Sequence, residues 1–132
     1  MKPMSIRAQR LLAVLGIGLG TLIGCSRKDA DEVKLATTPS EAASQLDSAF
    51  ASAPAEFQRA AGEASSALRS GDLSRAVESL GALRESGSVS LQQGVAVHGS
   101  MVLLESRLIA ASEAGDPKAR EAYTQLKRLK QK

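Results

Sequence analysis

The sequence from residue 38 onward predicts an all-α domain, a small bundle of about five helices arranged as stacked hairpins without a sheet. Two observations lead to this prediction. Apolar residues recur every three or four positions, the period of a helix face, and no stretch alternates with period two. The prolines of this region, Pro39, Pro54 and Pro117, fall where a helix would begin, and none interrupts a periodic stretch.

Capping residues and helix-ending glycines predict where the helices begin and end. Thr38 and Glu41 flank Pro39 in a capping-box pattern at the start of the first helix. Gly71-Asp72 and Gly115-Asp116 each combine a glycine that ends one helix with an aspartate that caps the next. The predicted helices cover residues 39–51, 54–70, 73–86, 90–114 and 117–131.

Four of these helices carry one apolar stripe each, which is expected to face the core. The stripes are Leu46, Ala49, Phe50 and Ala53; Phe57, Ala61, Ala64 and Leu68; Leu73, Ala76, Val77, Leu80 and Leu83; and Ala119, Ala122, Tyr123, Leu126 and Leu129.

The fourth helix carries two apolar stripes, about 140° apart around its axis. The first stripe is Val97, Met101, Leu104, Leu108 and Ala111, and the second stripe is Leu91, Val95, Val102 and Ile109. Two stripes predict a central helix with neighbours on two sides, so the second stripe is expected to be core. In the alternative interpretation the second stripe, Leu91, Val95, Val102 and Ile109, faces solvent and binds a partner helix or a second copy of the chain, with Val95, Val102 and Ile109 as the candidate partner-binding residues.

The first 25 residues have the layout of an export signal. Lys2, Arg7 and Arg10 precede an apolar run from Leu11 to Ile23, which is too short for a transmembrane helix of about 20 residues. The run ends in Leu22-Ile23-Gly24-Cys25, and Cys25 is the single cysteine of the chain. A plain secretory signal with a chance cysteine is the alternative, but its cleavage site would favour a small residue where Leu22 stands.

Leu22-Ile23-Gly24-Cys25 resembles the lipobox of bacterial lipoproteins. The resemblance implies that Cys25 receives a diacylglyceryl group and that signal peptidase II cuts just before it. Residues 1–24 are then a signal peptide, 25–37 the lipidated cysteine and a flexible tether, and 38–132 the helical domain. The covalent lipid is the only cofactor expected. In a Gram-negative host, Ser26 after the cysteine implies the outer membrane, facing the periplasm.

A second, weaker resemblance lies in the hairpin from Ala64 to Leu83. Ala64, Gly71-Asp72, Ala76 and Leu80 stand at the offsets of a tetratricopeptide repeat. The hairpin is similar to that family over about 20 residues, and departs from it where the family has a large aromatic residue, a small residue and a closing proline. These departures are Ala67, Leu83 and Ser88. The resemblance implies stacked hairpins that bind another protein.

Charge and composition argue against nucleic acid as a partner. The chain has 17 basic and 14 acidic residues, and three of the basic ones precede Cys25, so the rest of the chain carries no net formal charge. Phe50, Phe57 and Tyr123 are the only aromatic residues, too few for a base-stacking platform.

The sequence offers few groups for catalysis or metal binding, so we expect neither an enzyme nor a metal site. His98 is the only histidine, and Glu105 lies two turns later on nearly the same face. This pair is the one combination that could act as a base and its orienting group.

The leading functional prediction is a membrane-anchored, non-enzymatic envelope adaptor that binds a protein through a grooved helix surface. The alternative is a structural tether that contacts peptidoglycan or an anionic surface through the basic C-terminus. The candidate contacts there are Lys127, Arg128, Lys130 and the terminal Lys132, a position similar to the peptidoglycan-linked lysine of Braun-type murein lipoproteins.

Overall fold

Five α-helices contain most of the residues that the computed structural model describes, which are residues 34–87 and 89–132. They are α1 (Pro39–Ala49), α2 (Ala55–Ser70), α3 (Leu73–Glu85), α4 (Leu91–Glu113) and α5 (Pro117–Gln131). Neither described range contains a strand. The predicted all-α bundle is confirmed, and every helix ends within two residues of its predicted position.

The helix ends follow the predicted local chemistry. The Thr38 hydroxyl accepts a hydrogen bond from the Glu41 N–H at 3.2 Å, and the Glu41 carboxylate accepts one from the Thr38 N–H at 3.3 Å. Hydrogen bonds from the backbone N–H and hydroxyl of Thr37 hold the pKa of Glu41 below its ordinary value. At the α2–α3 junction Gly71 has a φ of 76°, and Asp72 caps α3 by accepting from the Arg75 N–H.

The N-termini of two helices differ from the prediction. Pro54 is not the first residue of α2 but its N-cap, and no side chain hydrogen bond caps that helix. The extended backbone of Pro54, with ψ 149°, places it just outside the helix. At α4 the sequence also contains a second capping box, formed by Ser90 and Gln93, which the sequence interpretation missed.

The first four helices close into a ring, and α5 lies in the groove between two of them. Each of α1, α2 and α3 contacts the next helix along the chain, α4 returns to contact α1, and α5 contacts α3 and α4. The α3–α5 approach is close: a Cβ added at Gly81 would lie 2.8 Å from a methyl carbon of Leu129. The α2–α3 hairpin meets the α4–α5 hairpin through α3 alone, so the tetratricopeptide resemblance stays a prediction.

The first stripe of α4 forms part of the core, as predicted. Leu104 and Leu108 are 0% exposed, and α4 contacts α1, α3 and α5. Among the described helices, α4 is also the one long and apolar enough to cross a bilayer by length and composition. Leu104 and Leu108 of this helix are completely buried in the bundle, as expected for a core helix. The stripes predicted on the other four helices lie in the core or pack against it.

The prediction that the second stripe is core is wrong. Leu91 is 86% exposed, Val102 40% and Ile109 38%. Three small residues that belong to neither predicted stripe are buried instead, and these are Ala96, Gly99 and Ser100. Small side chains allow the backbone of a neighbouring element to approach closely. The stripes predicted on α4 consist mainly of large apolar residues, so they did not include these buried positions.

The folded domain begins before residue 38. Ala36 is buried with the core, and the Lys34 carbonyl accepts a hydrogen bond from Gln45 at 2.9 Å. Leu35 lies over α4, where its methyl carbon is 3.2 Å from the position of a Cβ added at Gly99. The last four residues of the predicted tether therefore pack on the bundle, and the rest of that tether lies outside the described residues.

One ion pair between α1 and α2 gives the domain a pH dependence. Burial raises the pKa of Asp47, but hydrogen bonds from Ser65 and Arg69 outweigh this effect and hold it below the ordinary value of 3.8. The Arg69 guanidinium lies 2.7 Å from the Asp47 carboxylate. A folded-state pKa below the unfolded value stabilises the fold above about pH 4, and this stabilisation is lost as the pH falls further.

We therefore expect Asp47→Asn to make unfolding less dependent on pH in the acid range. Both partners are nearly half exposed, so the effect at neutral pH should be below about 1 kcal/mol. Urea titrations at pH 3 and pH 7 measure it, with Asp72→Asn, an exposed helix cap without an ion pair in the described residues, as the control. An unchanged difference between the two pH values in Asp47→Asn would contradict the assignment.

Candidate protein-binding groove beside α4

A groove opens between the first half of α4 and the C-terminal ends of α3 and α5. Its volume is about 350 Å³. The floor is apolar, formed by the nearly buried Leu83, Val97 and Met101, with the half-buried Val89 at one end. Gly94 contributes no side chain to its wall, which leaves room beside the helix. A surface of this shape can receive an apolar side chain from another molecule.

Two cationic side chains and a histidine stand at the edge of the groove. Arg84 and Lys130 border it from α3 and α5, and His98 borders it from α4. The Lys130 ammonium is 2.6 Å from the Glu105 carboxylate, so its positive charge is paired with the negative charge of that side chain. Arg84 is exposed and makes no ion pair with a described residue. The groove therefore combines an apolar floor with a net positive edge.

The second stripe runs along the outside of α4, next to the groove. Val102 belongs to both surfaces, Val95 is half-buried, and Ile109 lies beyond the groove toward the end of α4. Of the predicted partner-binding residues on α4, the structure therefore brings Val102 to the groove and leaves Val95 and Ile109 outside it.

The basic C-terminal residues are largely engaged within the domain. The Lys127 ammonium lies 4.7 Å from the centre of the Tyr123 ring, a cation–π distance. The ammonium of Lys132 is 2.9 Å from the Glu85 carboxylate, and Lys130 pairs with Glu105. Arg128 is exposed near the end of α5. Of the predicted basic contacts, only Lys130 lies at the groove.

The structure does not assemble the His98–Glu105 pair as an acid–base unit. Glu105 accepts its hydrogen bond from Lys130, whereas His98 lies at the groove edge. In residues 34–87 and 89–132, no three His, Cys, Asp or Glu side chains converge as metal ligands would. The predicted lipidation site Cys25 and the lipobox residues Leu22, Ile23 and Gly24 lie outside the described residues.

Sequence reasoning missed most of the groove. Leu83, Val97 and Met101 were predicted as core, and they are indeed nearly buried, but one side of each remains open to the groove. Helical periodicity indicates which face turns inward, not whether a neighbour covers it completely. Gly94 was a usable signal, because a glycine inside a long helix often reflects a close approach or a space that must stay open.

No protein-family model, no curated protein and no solved structure matches the chain.

Proposed function

We propose that this protein is a lipid-anchored, non-enzymatic adaptor of the bacterial envelope that binds another protein through the groove beside α4. The observation that supports it best is the groove itself, an apolar concavity of about 350 Å³ in the described domain. Its floor consists of Leu83, Val97 and Met101, which are held by the core behind them and so need little ordering on binding.

The anchor in this proposal comes from the N-terminal sequence. A basic segment, a short apolar run and Leu22-Ile23-Gly24-Cys25 resemble a lipoprotein signal, and Ser26 favours the outer membrane of a Gram-negative host. The two acyl chains of a diacylglyceryl group on Cys25 would hold the protein stably, because two or more chains anchor where one is marginal.

The chemistry of the groove indicates the kind of segment that it receives. An apolar side chain seated on Leu83 and Met101 would contribute about 1.5–3 kcal/mol by leaving water. Acidic residues beside it would lie near Arg84 at the edge, which assists encounter and orientation more than affinity. The partner segment is therefore apolar with acidic flanks, and the interface is small and readily reversible.

Site-specific photocrosslinking of the full chain in its host membranes tests this proposal. We expect a benzophenone amino acid at Val89 or Arg84, at the ends and edge of the groove, to give a discrete adduct with one other protein. The control places the same group at Ser66, which is exposed on α2 away from the groove.

We expect Gly94→Asp, which introduces a charge into the groove, to lower the yield of the adduct. The variant chain should remain membrane-bound and helical. Equal labelling from Ser66 and Val89, or the absence of any adduct from both groove positions, would contradict binding through the groove.

The alternative, a structural tether acting through the basic C-terminus, has less support. Lys130 and Lys132 already have carboxylate partners at 2.6 Å and 2.9 Å, and Lys127 lies over Tyr123. Cations in the last turn of a helix also offset its dipole, which accounts for their position without an external anion.

A further inference from the structure

Residues 34–37 lie against the bundle as a short segment before α1, which we call the strap. The Lys34 carbonyl accepts a hydrogen bond from the Gln45 side chain of α1 at 2.9 Å. The Leu35 side chain lies over α4, where its methyl carbon is 3.2 Å from the position of a Cβ added at Gly99. The strap is therefore held by two helices, α1 and α4.

The contacts that hold the strap are few. Ala36 is its one buried residue, and the side chain of this residue is a single methyl group. Leu35 is 45% exposed, and Lys34 and Thr37 are exposed as well. Each residue that is fixed in one conformation loses entropy, and the strap buries little apolar surface to offset this cost. A segment of this kind opens at a low free energy while the rest of the domain stays folded.

The strap can leave the bundle without disturbing α1. Thr38, the residue after the strap, provides the hydroxyl that caps α1. The Glu41 carboxylate accepts hydrogen bonds from the N–H groups of both Thr37 and Thr38, so the capping box remains when the bonds to Thr37 are lost. Among the described residues, Leu35 is the one neighbour within 4 Å of a Cβ added at Gly99, so the strap covers this part of α4 by itself.

We propose that the strap is a releasable part of the tether, which sets how far the groove can move from the membrane anchor. The proposal rests on the proposed anchor at Cys25. With the strap closed, residues 26–33 separate Cys25 from Lys34, and these nine steps along the chain span at most about 32 Å. With the strap open, the thirteen steps from Cys25 to Thr38 span at most about 47 Å. Release therefore extends the reach of the domain by about 14 Å.

The strap meets α4 on the turn that also borders the groove. Gly99, which lies under Leu35, directly follows His98 at the groove edge. A closed strap therefore keeps the groove close to the point where the tether joins the domain, and so within reach of partner segments near the anchoring membrane. An open strap lets the groove reach segments farther from that membrane, at a lower effective concentration because the tether is longer.

Trypsin cleavage after Lys34 measures how often the strap opens. When opening and closing are faster than cleavage, the cleavage rate follows the population of the open form. Gly99→Leu puts a side chain where Leu35 lies, and Leu35→Ser removes the same contact at a position that is nearly half exposed. We expect both variants of the detergent-purified full chain to be cleaved between residues 34 and 35 at least tenfold faster than the wild type. Their far-UV circular dichroism should be unchanged.

Gly62→Leu is the matched control, since it makes the same substitution on α2, where no described residue lies within 4 Å of an added Cβ. It should leave cleavage after Lys34 at the wild-type rate. Equal rates in the wild type, Gly99→Leu and Leu35→Ser would overturn the proposal. If all three rates are fast the strap is not closed, and if all three are slow it is not released.

Energy transfer on lipid vesicles tests the reach of the domain. The full chain carries a donor dye at Ser66→Cys, which is exposed on α2, and the lipid headgroups carry the acceptor. Adding Gly99→Leu should lower the transfer, because the domain can then move about 14 Å farther from the surface. Faster cleavage with unchanged transfer would overturn the role of the strap in reach.

Failure of the anchor and failure of the strap give different results. A chain that does not bind the vesicles would remove the anchor at Cys25 and with it the role in reach, while cleavage in detergent would still show whether the strap opens. Unchanged cleavage in a chain that stays on the vesicles would overturn the strap alone and leave the adaptor function standing.

Discussion

Leu108→Ala should destabilise the domain by about 2–5 kcal/mol, because it removes a fully buried side chain and leaves a cavity. Leu108 lies on α4, the helix that contacts α1, α3 and α5, so few neighbours can move to fill the space without disturbing others. Domains of this size have total stabilities near the lower end of about 5–15 kcal/mol. The loss is therefore a large fraction of the total, and the melting temperature should fall by about 10 °C or more.

The adjacent residue provides a matched control. Ile109 loses a similar side chain in Ile109→Ala but is 38% exposed, so its cost should be far smaller, about 0.5 kcal/mol. Thermal unfolding of the detergent-purified chain, followed by circular dichroism at 222 nm, compares the two variants. Equal melting temperatures for Leu108→Ala and Ile109→Ala would contradict the packing of α4.

Cys25→Ser should abolish membrane anchoring through lipid. Without the thiol no thioether to diacylglycerol can form, and signal peptidase II should not process the chain. The unprocessed precursor should persist and be about 2.5 kDa larger than the mature protein, which is the share of 24 residues in a 13.7 kDa chain of 132 residues. It should not incorporate labelled fatty acid. Gly24→Ala, which keeps a small residue before the cysteine, should be processed normally.

A salt wash separates the two kinds of attachment. The wild-type chain should stay with membranes at 1 M NaCl, because buried acyl methylenes contribute about 0.8 kcal/mol each and are not screened by ions. Normal processing of Cys25→Ser, or release of the wild type by salt, would indicate a plain secretory signal or an ionic attachment. Either result would remove the anchor from the proposed function.

The number of helices in the described domain, their ends to within two residues and one core face of each helix could be predicted from the sequence alone. These features depend on interactions over three or four residues, such as the hydrogen bonds between Thr38 and Glu41 or the left-handed turn at Gly71. The first stripe of α4 was also readable, since Leu104 and Leu108 share one face of a regular helix. These local interactions do not depend on how the helices pack against one another.

Which parts of α4 remain exposed depends on how the helices pack, and the sequence alone did not predict it. Val97 and Val102 have the same type of side chain on the same helix, yet one is 5% exposed and the other 40%. Val97 lies on the buried face of α4, whereas Val102 lies at the outer edge of the groove, which the described helices do not close over completely. The groove results from that incomplete closure, which depends on how helices distant in sequence fit together and not on interactions over three or four residues.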